Sequence, residues 1–153
     1  MYIFANRARA SHRWCRLNSN VRPHTPHPSV HASSMLLVAA VLIFLTGCAH
    51  SYLGERYILI RLFKRGGLPR LFGGTEFTEG TLRFAWHITT VAWWAIALLL
   101  LLAHRGSLST TSVLHVIAGT AMASAALPIF FTRGKHLSWV VFLLVGALVY
   151  FSS

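Results

Sequence analysis

The sequence predicts an all-α polytopic membrane protein in which four transmembrane helices form a compact bundle. Hydrophobic residues make up 55% of the 153 residues and charged residues only 11%, whereas the surface of a soluble domain needs about a quarter charged residues. The apolar residues are gathered in four long runs, and the basic residues flank these runs. Because the net charge of +11 is spread between the runs and does not form one polar face, a nucleic-acid partner is not predicted.

The first 34 residues differ from the rest of the chain. They carry five arginines and no acid, and they show no helical or strand periodicity. We therefore expect residues 1–34 to be a disordered basic extension, separate from a working protein that starts at Met35. Their composition also resembles a basic, acid-poor targeting segment, so the sequence leaves open whether they are retained. The two cysteines, Cys15 and Cys48, form no CxxC motif.

The membrane domain is predicted over residues 35–153. Its third apolar run is rich in small residues, and pairs such as Gly119 with Ala123 and Ala121 with Ala125 recur at a spacing of four. Small residues let helices approach closely, so this run is expected to be the central, most enclosed helix. The predicted spans are approximately 35–51, 82–103, 108–131 and 137–153.

The first run offers an alternative. Leu45 to Cys48 (LTGC) resembles the lipobox of bacterial lipoprotein signals, in which the cysteine is lipidated. From Met1 the region before the apolar core is too long for a signal peptide, and from Met35 the basic n-region is missing. A first membrane helix is therefore the favoured interpretation.

The loop after the first span is basic and amphipathic. Arg61, Lys64 and Arg65 fall on one face of a helix, opposite apolar side chains. This pattern predicts an interfacial helix that lies on anionic lipid headgroups, separated from the first span by a hinge at Gly54. Thr78 is predicted to cap the second span.

Loop charge predicts the orientation. The loop from Tyr52 to Thr81 with the adjacent Arg83, together with the loop at residues 132–136, holds eight Lys and Arg, and the other side holds one. The positive-inside rule then puts both termini outside, in a multi-pass protein of a bacterial inner membrane, if the chain starts at Met35.

Three residues are candidates for chemistry. His50, at the inner end of the first span, and His87, early in the second, are predicted to lie at one depth, and Glu55 is expected to reach the same place, with Arg83 in support. Such a set suits a metal ion or a proton-coupled pair, so His50, Glu55 and His87 are candidate catalytic or metal-ligating residues. Alternatively, the histidines bond to carbonyls at helix ends and Glu55 forms an ion pair that fixes the loop.

A resemblance rests on the same residues. His50-Ser51, Gly54-Glu55 and the segment RFAWH at Arg83 to His87 resemble a family of uncharacterised, short bacterial inner-membrane proteins. The resemblance covers Met35 to Ser153. It implies four spans and brings no activity or cofactor with it.

Three functions stay open at this point. A structural or accessory membrane protein, as a homo-oligomer or a subunit of a larger complex, needs only packed helices, and it is the prediction. A metal-binding protein or oxidoreductase would use His50, Glu55 and His87. An oligomeric small-solute transporter would need a polar path, and His115, Thr111 and Ser112 are too sparse to form one.

Overall fold

The computed structural model describes residues 30–153, and the structure there is helical without a strand. Residues 1–29, including Cys15 and most of the predicted disordered extension, lie outside the described residues. The first helix begins at Val30, five residues before the predicted start of the membrane domain at Met35. The elements are α1 (Val30–Leu53), a π-helical segment (Gly54–Leu59), α2 (Ile60–Arg65), α3 (Glu76–His104), α4 (Thr110–Thr132) and α5 (Ser138–Phe151).

In the part of the chain that the structure describes, three helices are long and apolar enough to cross a membrane. They are the 33-residue helix Ser33–Arg65, the 29-residue α3 and the 23-residue α4. The fourth predicted span forms α5, an apolar helix of 14 residues. At 1.5 Å per residue α5 is about 21 Å long, shorter than the roughly 30 Å of a bilayer's hydrocarbon core. The membrane-length prediction is thus confirmed for three helices and not for the fourth.

The predicted hinge at Gly54 is wrong. The π-helical segment joins α1 to α2 without a break, so Arg61, Lys64 and Arg65 lie on the last turns of the first long helix and not on a separate interfacial helix. A glycine inside a helix costs about 1 kcal/mol relative to alanine but does not by itself end the helix. The helix ends at Gly66, whose φ of 71° is left-handed.

α3 begins earlier than predicted. It starts at Glu76, six residues before the predicted span at Leu82. The Thr78 hydroxyl donates to the carbonyl of Pro69 and does not cap the helix. The Glu79 backbone N–H instead bonds to the carbonyl of Thr75, which precedes the helix.

The helices lie in a row. Within residues 30–153, the extensive contacts between helices join α1 with α3, α3 with α4, and α4 with α5. The contacts therefore do not show the closed, compact bundle that the sequence predicted. Among the three long helices, α4 has the largest buried share of its apolar stretch, 22% against 11% in each of the other two, so the prediction that this helix is the most enclosed is confirmed for these three.

One detail of that prediction is wrong. Gly119 and Ala123 are exposed, and a Cβ added to Gly119 would meet open space. The contacts of α4 are made from another face, where Ala121 and Ala125 are buried. The spacing of four recurs on more than one face of this alanine-rich helix, so the sequence alone could not choose between them. The remaining buried residues of α4 are Ala118, Ser124, Pro128 and Thr132.

Successive helices alternate in direction, and this gathers charge at one end of the row. Contacts between Glu55 and Arg83, and between Phe84 and His136, place the end of the first long helix, the start of α3 and the start of α5 together. We call this the basic end. It carries eight of the nine Lys and Arg of residues 30–153, and Arg105 lies at the other end. The eight are Arg56, Arg61, Lys64, Arg65, Arg70, Arg83, Arg133 and Lys135.

Candidate functional site

The candidate residues lie in the contact between α1 and α3, which we call the first seam. Polar bonds cross this seam along its length. At one end the Ser33 Oγ lies 2.8 Å from Nδ1 of His104. Further along, the indole N–H of Trp94 donates to the carbonyl of Phe44 over 3.3 Å.

Four side chains converge at the basic end of the first seam. Arg83 Nε donates to Glu55 Oε1 at 3.0 Å, and His87 Nε2 lies 3.6 Å from Glu55 Oε2. The Ser51 hydroxyl lies 2.7 Å from His87 Nδ1. The predicted grouping of Glu55, His87 and Arg83 is therefore present, and Ser51 joins it. We call these four residues the polar cluster.

The network favours one tautomer for His87. A neutral imidazole has one N–H and one acceptor nitrogen. A carboxylate can only accept, so the proton is assigned to Nε2, which faces Glu55, and Nδ1 then accepts from the Ser51 hydroxyl. The distance of 3.6 Å is long for a hydrogen bond, and Glu55 Oε2 is buried without a hydrogen-bond partner. The cluster therefore leaves one carboxylate oxygen incompletely satisfied.

His50 lies at the same level but faces other neighbours. Its ring stacks on Trp86, with centroids 4.5 Å apart, and its Nε2 lies 3.0 Å from the Thr89 hydroxyl. That hydroxyl already donates its single hydrogen to the carbonyl of Trp86, so it accepts from His50 Nε2–H. The structure thus supports the predicted shared depth of His50 and His87 but does not bring His50 into the cluster with Glu55.

The predicted metal-ligand set of His50, Glu55 and His87 does not form. Within residues 30–153, no group of three or more His, Cys, Asp and Glu side chains could hold a metal ion. Two residues of the set, Glu55 and His87, are engaged with Arg83 and Ser51. A divalent site would need further ligands that this seam does not bring within reach.

The order serine, imidazole, carboxylate invites comparison with hydrolases. Ser51, His87 and Glu55 follow that order, although Ser51 contacts Nδ1 rather than Nε2 of the histidine. A hydrolase also needs free N–H donors at the developing oxyanion. Ser51 lies inside a continuous helix, where each backbone N–H is bonded to the carbonyl one turn earlier. The arrangement therefore suits a contact between helices better than acyl transfer.

Two tryptophans set the spacing of the first seam. The Trp86 ring lies against Gly54, where an added Cβ would collide with the indole, and its N–H donates to the carbonyl of His50 over 3.1 Å. Trp94 lies against Gly47 in the same way, with its Nε1 2.8 Å from an ideal Cβ. Gly54 thus permits the close approach of an indole.

Sequence reasoning missed Ser51 as a member of the cluster, although a signal for it is present. Ser51 and Glu55 are four residues apart on one helix, and Arg83 and His87 are four apart on the next. Residues at i and i+4 share a helix face. On two antiparallel helices, such pairs can contact each other in order, Ser51 with His87 and Glu55 with Arg83.

Other predicted polar residues serve local packing. The His115 ring lies 5.6 Å from that of Tyr150 on α5. Cys48 is a free thiol, partly exposed, on a groove of about 510 Å³ that Ser51, Glu55 and His87 also line.

No protein-family model, curated protein or solved structure matches this chain.

Proposed function

We propose that this chain is a small integral membrane protein with a structural or accessory role. The observation that carries the proposal is that the polar groups of the first seam bond to each other across it. These bonds lie near Ser33, Phe44, His50, Ser51 and Glu55. Polar groups that bond across helices in an apolar environment hold those helices together. Apart from Glu55 Oε2, these groups are engaged across the seam, which favours a structural role over a path for a solute.

The proposal includes a membrane placement. The basic end faces the cytoplasm of a bacterial cell, because cytoplasmic segments carry an excess of Lys and Arg. The start of α1 and the end of α5 then lie on the outer side of the inner membrane. Arg61, Lys64 and Arg65, all exposed, contact anionic lipid headgroups at that face. α5 crosses the bilayer as the fourth span, and the chain acts as a homo-oligomer or as a subunit of a larger membrane complex.

The role is tested on purified protein by metal analysis and by visible absorbance. A structural protein is expected to contain no metal in stoichiometric amount and to show no visible band, and His87→Ala is expected to lower the yield of folded protein. Arg105→Ala, at the opposite end, is the matched control and is expected to leave the yield unchanged. Stoichiometric metal or a chromophore that disappears in His87→Ala would instead establish a metal-binding or oxidoreductase function.

The orientation is tested with an enzyme reporter that is active only outside the cytoplasm. We expect activity when the reporter follows Ser153 and none when it is inserted at Gly73, in the loop at the basic end. The opposite result would reverse the orientation while leaving the contacts of the polar cluster intact.

A further inference from the structure

A second charged site adjoins the polar cluster, with which it shares Arg83, and lies between the start of α3 and the end of α4. A cavity of about 440 Å³ opens there at the basic end, which is within the size range of small-ligand pockets. Five charged side chains line it, and they are Glu76, Glu79, Arg83, Arg133 and Lys135.

The charges of this cavity are of both signs, yet they are not paired with one another. The ion pairs found within residues 30–153 join Glu55 to Arg83 and to His87, and neither joins two of the five. Arg83 donates its Nε–H to Glu55 and places its guanidinium over the Phe63 ring, 4.9 Å from the ring centroid, so only its terminal nitrogens remain for a partner in the cavity. The exposed Arg133 and Lys135 on one side and the two glutamates on the other thus face a shared space.

The two glutamates have different local contacts. Glu79 accepts a hydrogen bond from the Thr75 hydroxyl at 2.9 Å. The Glu76 carboxylate lies against Gly74, where an added Cβ would collide with it. On the positive side, the backbone of Arg133 closes α4 with a left-handed φ of 55°, a conformation that costs a side-chain-bearing residue on the order of 1 kcal/mol or more.

We propose that this cavity binds the phosphoethanolamine headgroup of a membrane lipid. The guanidinium and ammonium groups of Arg83, Arg133 and Lys135 suit a phosphate, and the carboxylates of Glu76 and Glu79 suit a primary ammonium, which donates hydrogen bonds. A glycerol headgroup carries the phosphate but no ammonium, so it leaves the two carboxylates without a cationic partner. A choline headgroup lacks N–H donors for the carboxylates.

The apolar part of the cavity favours a lipid over a soluble molecule. Phe77 and Phe131 also line it, and α3 and α4, which frame it, are both long and apolar enough to cross a membrane. A lipid would place its headgroup among the charges and its chains against these helices. The site depends on the membrane placement proposed above, but not on the structural or accessory role.

The test is native mass spectrometry of the full chain in detergent, with phosphatidylethanolamine, phosphatidylcholine or phosphatidylglycerol added separately. We expect phosphatidylethanolamine to bind roughly tenfold more tightly than phosphatidylcholine, because hydrogen bonds between charged groups are lost with choline. Soluble phosphoethanolamine should displace the lipid, and inorganic phosphate at the same concentration should not. Equal binding of phosphatidylethanolamine and phosphatidylcholine, tighter binding of phosphatidylglycerol, or displacement by inorganic phosphate alone would overturn the proposal.

Two variants separate binding from folding. Arg133→Gly removes a cation while placing glycine where φ is left-handed, so the fold should be at least as stable. Glu79→Gln keeps an acceptor for Thr75 and removes the charge. Each is expected to reduce the preference for phosphatidylethanolamine several-fold, since each removes a charged partner, and Arg105→Gly should leave it unchanged. If both variants incorporate into vesicles normally and retain the full preference, the lipid site is refuted while the membrane placement stands.

Discussion

The two outer seams of the row are built differently. The first seam, between α1 and α3, combines indole rings on glycines with polar bonds such as that between Glu55 and Arg83. The last seam, between α4 and α5, is largely apolar, and there Gly146 lies close to the Met122 side chain and to the carbonyl of Ala118. The first seam therefore specifies which residues face each other, whereas the last mainly allows close approach.

The difference follows from the partner that each glycine meets. An indole ring is large and rigid, and its N–H must reach an acceptor when it is buried. A methionine side chain is unbranched and flexible and adapts to small changes. We therefore expect the same substitution to have different effects in the two seams.

The largest effect is expected for Gly54→Ala. In a helix, alanine is favoured over glycine by about 1 kcal/mol, but at Gly54 the added methyl collides with the Trp86 ring. We expect net destabilisation of roughly 1 to 3 kcal/mol from overpacking. Gly146→Ala should be close to neutral, because the helix preference and the displacement of Met122 oppose each other. The measurement is the free energy of unfolding in mixed micelles with increasing denaturing detergent.

Gly119→Ala is the matched control for this series. A Cβ at Gly119 meets open space, so only the helix preference remains, and the variant should be more stable than the parent by up to about 1 kcal/mol. The order Gly119, Gly146, Gly54, from stabilising to destabilising, is the expected result. If Gly54→Ala were as stable as Gly119→Ala, Trp86 would not lie on Gly54.

A smaller effect is expected for the ion pair of the first seam. Side-chain exposure is 33% for Arg83 and 30% for Glu55, so the pair is partly screened. A double-mutant cycle with Glu55→Gln and Arg83→Gln should give a coupling free energy of about 0.5 to 1 kcal/mol. The same unfolding measurement provides the four free energies of the cycle.

The control cycle pairs Glu55→Gln with Arg105→Gln, which is at the opposite end of the row. Distant sites are expected to be additive within about 0.5 kcal/mol. Coupling of the same size in both cycles would show that the effect comes from net charge and not from the contact between Glu55 and Arg83.

Much of the fold was predictable because its signal is local. Uninterrupted apolar runs predicted the helices, and alternation of direction placed Glu55, Arg83 and His87 at one end. The continuity of the helix through Gly54 was missed, because a glycine followed by charged residues is also typical of a helix end. What distinguishes the two cases is the contact with Trp86, which lies more than 30 residues away in the chain.

The candidate site was predictable only in part. Shared depth follows from counting residues along helices, but the direction of a side chain depends on helix rotation. His50 and Ser51 are adjacent, so in a helix they point about 100° apart, and only Ser51 contacts His87. The stacking of His50 on Trp86 and Trp93 fixes that rotation, and no pattern of neighbouring residues in the sequence indicates this stacking.

The lengths of the helices have a consequence for the surrounding lipid. Along the row they fall from 33 residues to 29, 23 and 14. With a rise of 1.5 Å per residue, the helix length falls from about 50 Å for the continuous helix of α1 and α2 to about 21 Å for α5. Under the membrane placement proposed above, in which α5 is the fourth span, a bilayer core of roughly 30 Å would match the long helices by tilt or by protruding helix ends, and would match α5 by local thinning, at a cost of fractions of a kcal/mol per Å. That placement therefore predicts a thinner bilayer beside α5 than beside α1.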